Sequence, residues 1–147
     1  MPSPEAVFSM ASTAVLPGWL LLVFAPRWRH SARLVGAVLV PGLLAVLYGV
    51  LIAARWGGAE GGFSSLADVQ KLFADPWLLL AGWVHYLVFD LFIGAWEVRD
   101  AGRVGIPHLL VVPCLVLTFL FGPVGLLLYG IVRAVRTRRL LEDEAAA

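Results

Sequence analysis

Residues 77–96, WLLLAGWVHYLVFDLFIGAW, constrain this chain more than any other stretch. A hydrocarbon layer about 30 Å thick needs about 20 helical residues at ~1.5 Å each. This segment has that length and an apolar composition, so it reads as a membrane-crossing helix. It also carries His85, Tyr86 and Asp90 near its middle. An aspartate at that depth costs roughly 2.5–3.5 kcal/mol on insertion scales, and such residues face other helices rather than lipid. A segment that served only as an anchor would carry leucine there. Asp90 is therefore the first candidate for chemistry.

The rest of the chain agrees in character. Its 147 residues are 61% hydrophobic and 14% charged, with a mean hydropathy of +0.88. Soluble domains run at about 45–50% apolar and about 25% charged. The expected fold class is an all-α membrane protein: four transmembrane helices over roughly 6–25, 34–54, 77–96 and 107–132. A short amphipathic helix over about 65–74 falls between spans two and three, and a tail of mixed charge fills 133–147. Together, 1–147 form a single membrane domain. A net charge of +1 gives no reason to expect nucleic acid. Cys114 is the one cysteine, which excludes an internal disulfide and a multi-cysteine metal site.

Span one contains Pro17-Gly18, which predicts a kink or a loosened turn. No Lys or Arg precedes it, so it reads as a retained helix rather than a secretory leader. Span two contains Pro41-Gly42. The connection between spans two and three opens on a glycine-rich run, Gly57-Gly58-Ala59-Glu60-Gly61-Gly62. Ser65 with Asp68 three residues on then forms a capping-box pattern, and Leu66, Val69, Leu72 and Phe73 recur at helical spacing. That helix reads as a strap on the membrane surface or as a lid folded over the bundle. Residues 97–106 hold four charges in seven positions and read as a solvated connection. With four spans the basic residues divide almost evenly between the two sides, six against five, and the arginine-rich tail places both ends in the cytoplasm.

On an ideal helix each residue turns by about 100°. Asp90 then shares a face with Tyr86, Trp83 and Glu97, while His85 points about 140° away. His85 and Asp90 can meet one ligand only as two walls of one cleft. Burial in an apolar phase favours the neutral form of both groups, which suits a proton donor at Asp90 and a proton acceptor at His85. Tyr86, one turn from Asp90, can share its hydrogen bonds. The bland counterpart is that the three tie helices together. In span four, Cys114, Thr118, Gly122, Gly125 and Tyr129 form one stripe of small or polar residues, the natural face to meet span three. Pro123 frees a backbone carbonyl beside it. Glu97, Asp100 and His108 match no familiar ligand spacing, so no metal site is expected and a solvated salt-bridge patch is the simpler account.

Several blocks carry a resemblance: LPGWLL (16–21), FAPRW (24–28), GGFSSL (61–66), LAGWVHYLVFDL (80–91), IPH (106–108), PCLVLTF (113–119) and FGPVGLLLY (121–129). In these the chain resembles the abscisic-acid-deficient-four-like membrane family, from about Leu16 to Arg133. The resemblance implies a four-helix integral membrane protein. In plant members it implies conversion of the epoxy-carotenoid violaxanthin to the allenic neoxanthin, an isomerisation without net redox change and without a cofactor. The Ala/Val/Arg-rich style and the lack of a plant transit segment point to a bacterial inner membrane.

Two functions from different classes follow. The first is a cofactor-independent membrane isomerase acting on a carotenoid or related polyene by acid/base chemistry. Its catalytic residues would be His85, Asp90 and Tyr86, and Trp19, Trp83, Phe89, Thr118 and Gly122 would line the substrate. The second is a non-enzymatic lipid- or pigment-binding subunit. The expected partners are membrane lipid, a lipophilic carotenoid-like molecule, and a second copy of the chain or a biosynthetic-complex neighbour.

Overall fold

The structure, a computed structural model, describes residues 2–26 and 38–138. Those residues contain seven α-helices and no strand. α1 (Pro4–Ala14) starts at Ser3, whose hydroxyl accepts from the Ala6 amide, with Pro4 in the first turn. α2 (Leu16–Phe24) continues almost in line after a break at Val15. The break is the kink expected from Pro17, which has no N–H for the preceding turn. Together α1 and α2 form a 21-residue apolar segment, Pro4–Phe24.

α3 (Val40–Arg55) carries Pro41 in its first turn, where the missing N–H is harmless. The beginning of the expected second span, 34–37, lies outside the described residues. A 3-10 turn, Trp56–Gly58, ends α3. α4 (Leu66–Leu72) is the expected amphipathic helix, capped by Ser65 through its bond from the Asp68 amide. Leu72 is buried and Leu66 is exposed.

α5 (Pro76–Val104) is the central element. Asp75 caps it by accepting from the Trp77 and Leu78 amides, and Gly105 ends it in the left-handed conformation (φ 74°). At 29 residues it is roughly 43 Å long, well beyond the thickness of a bilayer core. This corrects the reading of 97–106 as a solvated connection. The helix runs on through Glu97 and Asp100, and both are buried. Sequence spacing explains it: Glu97 and Asp100 extend the Asp90 face, and nothing between Trp96 and Ala101 breaks a helix.

The expected fourth span over 107–132 is two helices. α6 (His108–Phe121) and α7 (Pro123–Thr137) meet at Gly122. At 14 and 15 residues they are roughly 21–22 Å long, too short to cross alone. Gly122 sits at φ 38°, ψ −90° and turns the chain back within one residue. Contacts along α5 trace the path. Ile106 bonds back to Ala101, Thr118 meets Glu97, and Gly122 lies against Asp90. Tyr129 and Arg133 of α7 then return to Asp100. The pair is a helical hairpin whose tip reaches the middle of α5 and whose ends lie together.

Among the described residues, three helices are thus long and apolar enough to cross a membrane: Pro4–Phe24, Val40–Gly58 and Pro76–Val104. α1 and α2 run parallel to α5, with Phe8 beside Trp83, Trp19 beside Gly94, and His108 bonding the Val23 carbonyl. α3 runs antiparallel, with Tyr48 beside His85 and Arg55 over the Trp77 ring. Their shared core includes Leu22, Leu44, Leu51, Val84, Leu91 and Leu115.

Candidate functional site

One face of α5 presents Asp90, Glu97 and Asp100 to the hairpin, and all three are buried. The hairpin answers with its polar residues. Thr118 donates its hydroxyl to Glu97 Oε1 (2.9 Å). Tyr129 donates to Asp100 Oδ2 (2.6 Å), and Arg133 Nε donates to the same oxygen (2.8 Å). Arg103 reaches Asp100 Oδ1 at 3.4 Å from the rim. Cys114, Thr118, Gly122, Gly125 and Tyr129 are all buried, so the stripe of small and polar residues lies inside even though the helix it was read on is folded in two.

The three acids differ in how completely they are met. Each oxygen of Asp100 has a donor. Asp90 Oδ2 and Glu97 Oε2 are buried with no hydrogen-bond partner among the described residues. A buried acceptor left without a donor costs about 1–3 kcal/mol, and such groups are few in native structures. Around Asp90 the packing is close. A methyl group built on Gly122 would stand 2.7 Å from Asp90 Oδ1, so only glycine brings backbone this near. Tyr86 lies against the carboxyl of Asp90 and donates its hydroxyl to the Phe119 carbonyl (3.1 Å). That carbonyl is the one Pro123 leaves without an amide donor four residues on. The expected freed carbonyl is present, and Tyr86 satisfies it.

Two cavities border α5 further along. The larger, about 660 Å³, lies between α1 and α5 and is lined by Phe8, Phe73, Leu79, Gly82, Trp83 and Tyr86 among others. Its walls are mostly apolar, with Glu5 and Ser9 at the α1 side. Trp83 is fixed there by its indole N–H on the Ser12 hydroxyl (2.9 Å) and by stacking on Tyr86. The smaller, about 240 Å³, lies between α3, α4 and α5 and is lined by Tyr48, Ile52, Phe63, Phe73, Ala81 and His85 among others. Phe73 and Gly82 border both. The Phe73 ring would meet a Gly82 methyl at 3.3 Å, so it rests on the bare helix backbone and divides the two spaces.

The sequence-expected site residues are therefore distributed. Asp90, Tyr86, Thr118 and Gly122 gather at the hairpin tip, and Tyr86 also opens onto the larger cavity with Trp83. His85 is exposed on another side of α5, between the rings of Tyr48 (5.7 Å) and Phe89 (4.6 Å). Phe89 is exposed beyond it. Trp19 is buried between Gly94 and the Phe119 ring and borders neither cavity. Sequence reasoning did not single out Arg133, whose role requires the tail to fold back. It placed Glu97 on the Asp90 face but gave it no part. The seven-residue spacing of Asp90 and Glu97 was the available signal.

Fold and site define an all-helical protein of membrane-type composition, built on one long helix whose acidic face is closed by a helical hairpin. The chain belongs to the ABA DEFICIENT 4-like family, whose model matches residues 6–129. It is similar to the chloroplastic protein ABA DEFICIENT 4 of Arabidopsis thaliana, at 30% identity over 141 residues. That match covers 89% of this chain and 62% of the plant protein, so the chain spans less than two thirds of that relative's length. No solved structure matches the chain.

Proposed function

We propose that the chain is an integral membrane protein with three spans and a re-entrant hairpin, and that it isomerises a carotenoid or related lipophilic polyene by acid/base chemistry. One observation carries the reading. The apolar cavity between α1 and α5 ends on Tyr86, and behind Tyr86 stands Asp90 with an unpartnered oxygen. A greasy ligand entering sideways from lipid would meet two acids there, the exposed Glu5 on α1 and, behind Tyr86, the buried Asp90. Family membership and the apolar helices support a membrane setting and a pigment-related role.

For an epoxy-xanthophyll the balanced step needs a proton given to the epoxide oxygen and a proton taken from a neighbouring C–H. The C–O bond breaks as the C–H electrons form the new double bond, and no electron is gained or lost overall. Asp90, reached through Tyr86, is the donor. His85 is the acceptor, bordering the second cavity across the Phe73–Gly82 contact. The test is co-expression with a carotenoid epoxide and chromatography of the extracted pigments. Wild type yields an isomer of unchanged mass, and Asp90→Asn and His85→Ala lower its yield at least ~100-fold, the scale of general acid–base contributions. Unchanged turnover in both variants removes them from the reaction.

One observation favours a second reading. His85 and Asp90 face different sides of α5, which suits a pigment- or lipid-holding subunit of a biosynthetic complex. That reading requires pigment to co-purify with the chain while its chemical identity stays unchanged.

A further inference from the structure

The hairpin changes the distribution of charge across the molecule. α2 ends, α3 begins, α5 ends and both hairpin arms end at one face, because α1–α2 parallels α5 and α6–α7 turns back. Among the described residues, α5 brings Arg99 and Arg103 to that face, and α7 with the residue after it brings Arg133, Arg136 and Arg138. Five of the seven described Lys/Arg residues then share one side. The opposite side keeps Arg55 and Lys71 with the acids Glu5, Glu60, Asp68 and Asp75. Short basic flanks stay on the side from which a membrane protein is inserted, so the amino end lies on the far side and the tail on the near one.

We infer that this near face is a docking surface for anionic phospholipid headgroups, an inference that rests on the membrane reading above. Arg136 and Arg138 are exposed at the end of α7, and the side chain of Arg103 is 63% exposed at the end of α5. On the membrane side of this ring, α7 shows Val124, Leu127, Ile131 and Val135, all exposed and apolar. Those four repeat at three- and four-residue steps on one face, so acyl chains lie along α7 while phosphates meet the arginines above. The opposite face offers no such pairing, since Arg55 stacks on Trp77 and Lys71 shares α4 with Asp68.

Two measurements test this. In a Cys114→Ser background expressed in a bacterial host, Ser64→Cys and Gly102→Cys are probed with a membrane-impermeant maleimide. Both positions are exposed, and Gly102 has open space around it. Ser64→Cys reacts in intact cells, and Gly102→Cys reacts only after permeabilisation. Separately, detergent-purified protein is titrated with phosphatidylglycerol and with phosphatidylcholine, and bound lipid is counted by native mass spectrometry. Phosphatidylglycerol is retained preferentially, and Arg136→Gln with Arg138→Gln weakens it roughly 25-fold, at about fivefold per arginine near the surface. The inference is overturned by Gly102→Cys reacting from outside, by unchanged phosphatidylglycerol retention in the double variant, or by inorganic phosphate displacing the lipid equally well. If both cysteines react from the same side, the three-span reading itself fails.

Discussion

Arg133→Leu is the substitution whose outcome the fold determines most sharply. Arg133 leaves α7, crosses to α5 and donates to Asp100 at 2.8 Å, with both side chains buried. Removing one partner of a buried ion pair costs about 3–5 kcal/mol, because the other charge is left uncompensated. Here the loss falls at the lower end. Tyr129 still donates to the same oxygen at 2.6 Å, and Arg103 reaches the other from the rim. The effect should be local, since the contact clamps α7 onto α5. Cys114 should report on it: it is fully buried, and burial should shield it from reagent while the hairpin is closed. If the clamp opens locally, about 3 kcal/mol corresponds to roughly a 150-fold rise in the open population and to maleimide labelling of Cys114 faster by that factor. Adding Asp100→Leu should recover most of the loss, since an apolar pair of similar volume replaces buried ions at little or no cost. Labelling of Cys114 that is unchanged in Arg133→Leu, or a double variant worse than the single one, refutes the clamp.

Three further outcomes follow from the site. Gly122→Ala places a methyl 2.7 Å from Asp90 Oδ1 at a φ of 38°; it should lower thermal stability by about 1–2 kcal/mol and reduce isomer yield more than Gly130→Ala, where the space is open. Thr118→Val removes the donor to Glu97 Oε1 and leaves both Glu97 oxygens unmet; denaturation in detergent should show a loss of about 1–3 kcal/mol, whereas Thr118→Ser should lose little. Gly82→Leu drives a side chain into the Phe73 ring; α4 should lift from α5, and limited proteolysis should cut the 57–75 connection faster than in wild type, with no change if Phe73 does not rest there.

Much of the fold was legible because burial in lipid leaves strong marks. Three long apolar runs, the Pro17 break and the Ser65 cap were all readable from residue types. The hairpin was not. Hydropathy over 107–132 is the same whether the segment crosses once or folds in two, and Gly122-Pro123 reads equally as a kink. What decides is the position of the polar partners: Tyr129 and Arg133 need Asp100, and they reach it only if the chain turns back. The length of α5 was hidden for a related reason. Charge density in 97–103 resembles a solvated connection, although Glu, Val, Arg, Asp and Ala continue a helix without interruption. Asp90 was legible as a buried acid with Glu97 on its face, while the burial of Glu97 and Asp100 became visible only once the hairpin was seen to cover them.

The three acids of α5 then separate by role. Asp100 has a donor for each oxygen and an arginine at 2.8 Å, the arrangement that makes a buried charge tolerable and pins one helix to another. Its work is finished in the folded state. Asp90 and Glu97 each keep an oxygen that no group among the described residues meets, at about 1–3 kcal/mol apiece, although a few residues away the same hairpin supplies donors generously. Glu97 is sealed under Thr118, so its open oxygen faces only the interior of the helix–hairpin contact. Asp90 alone combines an unmet oxygen with a neighbour, Tyr86, that borders a cavity wide enough for a ligand. On the proposed reading, a ligand arriving through that cavity would recover the stability forgone at Asp90, and this would set its reactive end there rather than at Asp100.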